Sequence, residues 1–248
     1  MILTYHEIEP RFSGDLYRVT SENLEKHLGF LAELRSQGTS EPDEVPVTFD
    51  DGHLSNYHYG VPLLQKYALQ AIFFVPAGWV GVKKTVMEWV QIRELLRLGY
   101  QVQSHTWSHP LLTHCSDSRL QTELKGSRQT LEDKLGVAVE KLSVPYGRWD
   151  RRVLCACAQA GYKQVYTSDP WLCMKRFGLL NLSGRLTVRS TTGSAQLRRF
   201  LEAKGPWLFA LRAPHLIKQG VRQLLGDGVY HRLWCRFARR DEPRGDGL

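Results

Sequence analysis

The chain has 248 residues, 42% of them hydrophobic, enough for one large domain with a substantial core. Its 33 Lys and Arg against 25 acids give a net charge of +8, and the excess is local: residues 198–240 hold ten bases and two acids, while the rest balances at 23 of each. Cys115, Cys155, Cys157, Cys173 and Cys235 form no CxxC pair, which excludes a disulfide framework and a zinc ribbon; with no signal-peptide pattern in the opening MILTYHE and no apolar run of membrane-span length, a cytoplasmic protein is expected.

Ile2–Tyr5 is a short β-prone run, and Ser21–Arg35 follows as a helix that sets Leu24, Leu28, Leu31 and Leu34 near one face. Next come a strand over Val45–Phe49, a helix over Gly60–Tyr67 and a strand over Ala71–Val75. The same alternation continues with a helix at Met87–Leu98, a strand at Tyr100–Val102 and a helix at Asp117–Leu135. Lys141–Val144, Gln164–Thr167 and Arg185–Val188 read as strands, with a helix over Asp150–Ala160. Such alternation argues for a parallel sheet with helices outside. About seven βα units predict a barrel, with an open doubly wound sheet as the alternative. The barrel is assigned to residues 1–195 and a basic helical segment to residues 196–248.

In a barrel, chemistry sits where strands end, and three predicted strand ends carry polar groups. Asp50-Asp51-Gly52 ends one, His105 and His109 in SHTWSHP follow another, and Pro145-Tyr146-Gly147 follows a third. Adjacent carboxylates repel, so the Asp50–Asp51 pair calls for a cation or a reaction. One Asp and two His make a ligand set for a divalent ion such as Zn²⁺, with positions left for water and substrate. A second Asp beside the ligands is then placed to take a proton. Each feature alone has a plainer reading: Asp-Asp-Gly as a turn, two histidines four apart as structural.

Together, TFDDG, HTWSHP and PYG resemble the first three motifs of the polysaccharide deacetylase family, carbohydrate esterase family 4, over roughly residues 1–190. The resemblance implies a deformed parallel (β/α)7 barrel that removes acetyl groups from sugars with a divalent metal, Zn²⁺ first and Co, Ni, Fe or Mn as alternatives. It implies Asp50 as the base, Asp51, His105 and His109 as metal ligands, and the Tyr146 backbone N–H as an oxyanion donor. Two departures stand out. Ser143 occupies the place where the family carries an arginine that orients the base, so the base is held otherwise, or by an arginine such as Arg148. The family's late LxxH motif is missing after residue 190, where His215 and His231 lie in the basic segment. Leu3-Thr4-Tyr5-His6 supplies an LxxH at the other end of the chain, resembling a circularly permuted branch that includes poly-N-acetylglucosamine deacetylases. On that resemblance His6 protonates the leaving amine. Asp169 in TSDPW matches the family's fourth motif loosely or caps a turn, and Trp107, Trp149 and Trp171 line a sugar site or pack in the core.

In the basic segment, Ile217, Val221, Leu224 and Leu225 share one helical face, and Tyr230, Leu233, Trp234 and Phe237 another. Basic amphipathic helices of this kind lie on an anionic membrane or pack on the barrel with their charges solvated. Nucleic acid is not expected, because no binding motif accompanies the charge. The expected partner is an N-acetylated sugar or glycan, lipid-linked or nucleotide-linked, in envelope or exopolysaccharide assembly. The competing readings are an amidase acting on a non-sugar amide or ureide, and a catalytically impaired carbohydrate-binding relative.

Overall fold

A computed structural model describes residues 2–38, 46–169 and 175–202, together with Ala213 and Ile217. Ten strands run in chain order: β1 (Ile2–Tyr5), β2 (Glu7–Glu9), β3 (Arg18–Thr20), β4 (Val47–Phe49), β5 (Ala71–Val75), β6 (Gln101–Ser104), β7 (Lys141–Ser143), β8 (Gln164–Thr167), β9 (Lys175–Phe177) and β10 (Leu180–Thr187). Seven of them pair in parallel in the order β1-β4-β5-β6-β7-β8-β10, and β10 pairs back onto β1. The sheet therefore closes into a seven-stranded parallel barrel, and the open-sheet alternative is set aside. β9 lies antiparallel on β10 outside this ring, and β2 and β3 form a small parallel pair of their own.

Closure explains the composition of the strands. Parallel strands covered on both sides become continuous buried runs, and every residue of β4 and β5 is buried. The outer layer is built from α1 (Ser21–Ser36), α2 (Val61–Lys66), α3 (Trp89–Arg97), α4 (Asp117–Gln121), α5 (Ser127–Leu135) and α6 (Arg151–Gln159); α7 (Ser194–Glu202) is the last helix described. Local chemistry starts and stops these helices. Thr20 caps α1 by accepting the Asn23 amide at 3.2 Å, Asp150 caps α6 by accepting that of Val153 at 2.8 Å, and Gly136, at φ 68°, ends α5. The helix predicted over Asp117–Leu135 is interrupted by a π-turn at Thr122–Gly126 between α4 and α5. A core cluster of Leu120, Leu124, Leu131, Leu142, Val153, Leu154 and Val165 joins α4–α6 to β7 and β8.

His27 on α1 is fully buried, with Nε2 3.0 Å from the Thr192 carbonyl oxygen and Nδ1 3.2 Å from the Tyr5 hydroxyl. Burial pushes its imidazole down to about 4. Between pH 6.5 and 4 the unfolded chain thus binds a proton that the folded chain refuses, so stability falls as pH falls through that window and the loss is complete below it. The expected loss is about 3 kcal/mol. It is read as the difference in urea midpoints between pH 7 and pH 4 that disappears in His27→Gln; an unchanged difference would contradict a neutral buried imidazole.

Residues Met1–Ser194 form one compact unit and Ala195–Leu248 a second. The amphipathic faces expected between Ile217 and Phe237 lie, Ile217 apart, outside the described residues, as do His215, His231, Cys173 and Cys235. Cys115, Cys155 and Cys157 are free thiols. Among the described residues no helix is long and apolar enough to cross a membrane.

Candidate active site

The C-terminal ends of β1, β4, β6 and β7 bring together the groups singled out in the sequence. Asp50 follows β4 directly and is buried, with its amide donating to the Tyr5 carbonyl at 2.9 Å. Asp51 then turns the chain in the left-handed region at φ 64°. Its Oδ1 stands 3.4 Å from His105 Nε2 and 3.4 Å from His109 Nε2. The ligand atoms of Asp51, His105 and His109 all lie within 4.8 Å of one another.

These three residues fit a divalent cation. His105 Nδ1 lies 2.8 Å from the Ser143 carbonyl oxygen, which can only accept, so the ring proton sits there and Nε2 turns a lone pair toward Asp51. Asp51 Oδ1 is buried without a hydrogen-bond partner. The Asp51 oxygen and the His105 Nε2 lone pair thus face one another, with His109 Nε2 3.4 Å from the same oxygen, an arrangement that repels unless a positive charge lies between them. Donors about 2.0–2.2 Å from a tetrahedral ion stand roughly 3.3–3.6 Å apart, the spacing of each histidine nitrogen from Asp51 Oδ1.

Asp50 is held by a residue that sequence reading missed. Arg185 on β10 is fully buried, and its Nη1 and Nη2 donate to Asp50 Oδ1 and Oδ2 at 2.7 and 2.8 Å. The same guanidinium donates to the hydroxyls of Thr48 at 3.0 Å and Ser143 at 2.7 Å, and Ser143 in turn donates to Asp50 Oδ2 at 3.0 Å. It packs 5.2 Å from the Phe74 ring and 5.8 Å from the Tyr166 ring. Reaching β4, β5, β7 and β8 from β10 is possible only through the barrel interior. Ser143 is therefore the small residue that leaves room for an arginine reaching in from β10. The guanidinium bonded to Asp50 is that of Arg185; Arg148 is a buried residue after the PYG turn. Burial would raise the Asp50 carboxyl, but Arg185, with His105 and His6, brings it down to about 2. Burial likewise opposes ionisation of Asp51, and the three imidazoles of His105, His6 and His109 hold it well below the carboxylate range. Burial pushes His109 down to about 4.

His6 ends β1, which closes the barrel beside β10, and its field reaches both carboxylates. Its ring packs 5.5 Å from that of Tyr17, and its Nδ1 is buried without a hydrogen-bond partner. Tyr146 is placed beside His109, ring centroids 4.9 Å apart, and its backbone adopts φ 58°. Gly147 follows at φ 63°, where a Cβ would lie 2.5 Å from that of Ser168, so only glycine fits this turn. Trp107 is 37% exposed beside the two histidines, whereas Trp149 packs against the core cluster. Asp169 is half-buried after β8, its amide donating to Thr167 Oγ1 at 3.3 Å. Trp171 lies outside the described residues. An aromatic residue not singled out in the sequence, Trp79, packs 5.4 Å from His109 and carries the Lys83 ammonium 3.0 Å above its ring.

Residues 37–165 match the family profile described as polysaccharide deacetylase. YxkH of Bacillus subtilis, classed with the polysaccharide deacetylases, is 28% identical over 208 residues, 78% of this chain and 73% of its own length. A chitooligosaccharide deacetylase of Sinorhizobium fredii is 29% identical over 148 residues, 58% of this chain and 66% of its own. Among solved structures, a polysaccharide deacetylase from Bacillus cereus superposes with a TM-score of 0.70 at 25% identity, covering 81% of this chain and 68% of that one.

Proposed function

The chain belongs to the polysaccharide deacetylase family, and from that premise we propose that it hydrolyses the N-acetyl group of an N-acetylhexosamine in a glycan or glycan precursor, releasing acetate. The observation that carries this reading is the Asp50 carboxylate, kept ionised in a buried site by Arg185 and standing 3.9 Å, Oδ2 to Nε2, from His105 of the cation cradle. Similarity to a chitooligosaccharide deacetylase supports the sugar amide over a non-sugar amide or ureide. The paired Asp50 and Arg185 speak against a relative that has lost its chemistry.

In this reading Asp51, His105 and His109 hold a divalent cation, for which two imidazoles and one carboxylate suit Zn²⁺, and which when bound lowers the pKa of a water and polarises a carbonyl. Asp50 accepts the proton of the attacking water, its orientation set by the guanidinium fork. The Tyr146 amide donates to the oxyanion as it develops. His6 gives a proton to the departing nitrogen, because an amine anion is too poor a leaving group to depart unprotonated.

Acetate release tests the function directly, with chito-oligomers, nucleotide sugars and lipid-linked sugars each supplied with and without Zn²⁺ or Co²⁺. Release from none of them, by protein shown to be metal-loaded, would contradict the proposal. His6→Ala separates the acid from the base. Its turnover of an N-acetyl sugar should fall about 100-fold, while hydrolysis of 4-nitrophenyl acetate, whose leaving group departs unaided, should change little. Equal losses on both substrates would remove His6 from the role of acid.

A further inference from the structure

We propose that Glu123 is a positioning residue for the metal centre: its buried carboxylate clamps the loop between the two histidine ligands. The inference rests on the metal reading above. Four observations lead to it. Glu123 is 2% exposed, rare for a carboxylate. Its Oε2 accepts two consecutive backbone amides, Trp107 N at 3.1 Å and Ser108 N at 2.8 Å. Its Oε1 accepts the Ser108 hydroxyl at 2.6 Å and Arg119 Nη2 at 3.2 Å. It sits in the π-turn Thr122–Gly126, where the extra residue shifts the helical register.

The loop needs such a clamp. Thr106 and His109 both hold left-handed backbone angles, φ 68° and 59°, and neither is glycine. Conformations of that kind persist only where the surroundings over-determine them. From the opposite side, Gly78 N donates to the Trp107 carbonyl at 2.9 Å, and a Cβ on Gly78 would come within 2.6 Å of Trp107 Nε1 and 2.8 Å of that carbonyl oxygen. The strand β6 fixes His105, whose amide donates to the Val75 carbonyl at 3.0 Å. His109 has no strand behind it; its amide donates to Thr106 Oγ1 at 3.0 Å, inside the same loop. The separation of His105 from His109 is therefore set by the turn that Glu123 and Gly78 grip from either side. Without the carboxylate, the Trp107 and Ser108 amides lose their partner, and His109 is free to leave the distance from Asp51 that one ion spans.

The test is Co²⁺ binding to metal-stripped protein, followed by titration calorimetry and by the visible absorption of the bound ion. Glu123→Ala should weaken Co²⁺ binding roughly 10- to 100-fold, the usual effect of removing a group that orients a ligand, and should alter the absorption band. Glu123→Gln keeps one acceptor oxygen for the two amides and should recover much of the affinity. Gly78→Ala, which pushes the loop from the other side, should weaken binding in the same direction, so the inference stays testable if Glu123→Ala does not fold. A lower melting temperature with unchanged affinity and spectrum in Gly78→Ala, and in Glu123→Ala where it folds, would reduce Glu123 to a structural role and overturn the inference alone. Failure of the unaltered protein to bind Co²⁺ would overturn the metal reading and this inference with it.

Discussion

Arg185→Met should lower turnover of an N-acetyl substrate at least about 100-fold and unfolding stability by about 3–5 kcal/mol, with bound metal unchanged. The two effects share one cause. In the intact protein the guanidinium contacts both Asp50 oxygens and lies with them in the barrel interior, so each charge is the solvent of the other. Removing the guanidinium leaves Asp50 buried without its cation, and its carboxyl either stays charged at high cost or takes up a proton and can no longer accept one. Two further variants separate pairing from packing. Arg185→Lys keeps the charge but loses the fork, and should fall between the two in rate. Asp50→Asn combined with Arg185→Met leaves no charge in the barrel and should unfold at a higher urea concentration than Arg185→Met alone. Stability that merely adds across the pair, or a rate untouched in Arg185→Met, would make the guanidinium a spectator.

Why Arg185 escaped the sequence reading is instructive. Ser143 in place of an arginine calls for another group beside Asp50, and the nearest arginine in the chain is Arg148. Arg185 is 135 residues from Asp50, and only barrel closure, through β1, brings β10 within reach of β4. The available signal was local: an arginine inside the run LNLSGRLT, between the buried Leu182 and Leu186. A cation there either ends the strand or pairs in the interior. The same polar residues hid the start of β10, expected at Arg185 and found at Leu180. β2 and β9, reading Glu-Ile-Glu and Lys-Arg-Phe, have too little apolar character to stand out. By contrast β1, β5 and β8 begin and end where the apolar runs do, because buried parallel strands need unbroken apolar faces and punctuating turns.

The cation cradle was legible for a different reason. Asp50 and Asp51 are neighbours, and His105 and His109 share one loop, so four of the groups arrive in two short stretches that the strand ends aim at one place. The clamp behind them was not legible. Glu123 lies in what reads as an ordinary solvent face of the Asp117–Leu135 helix, and a π-turn, which has no reliable sequence signature, turns it inward.

Asp50→Asn and Asp51→Asn differ by one position and should fail in opposite ways. Asp50 is bound by Arg185 and Ser143 and is no part of the three-atom cradle. Its amide variant keeps an oxygen for Arg185 Nη1 but turns an NH₂ group toward Nη2 and the Ser143 hydroxyl, where a carboxylate oxygen had accepted two bonds. It should lose about 10³- to 10⁴-fold in rate, since no group remains to take the proton, and should lose stability, while its metal content stays that of the unaltered protein. Asp51 Oδ1 has no hydrogen-bond partner and stands 3.4 Å from each of the two imidazoles, with no Arg or Ser partner like those of Asp50. Its amide variant should fold normally yet lose a charged ligand, weakening metal binding at least about 10-fold. Excess metal distinguishes them: it should restore part of the rate to Asp51→Asn and none to Asp50→Asn. If added metal rescued Asp50→Asn, the first carboxylate would be a ligand and the division of labour within the pair would be reversed.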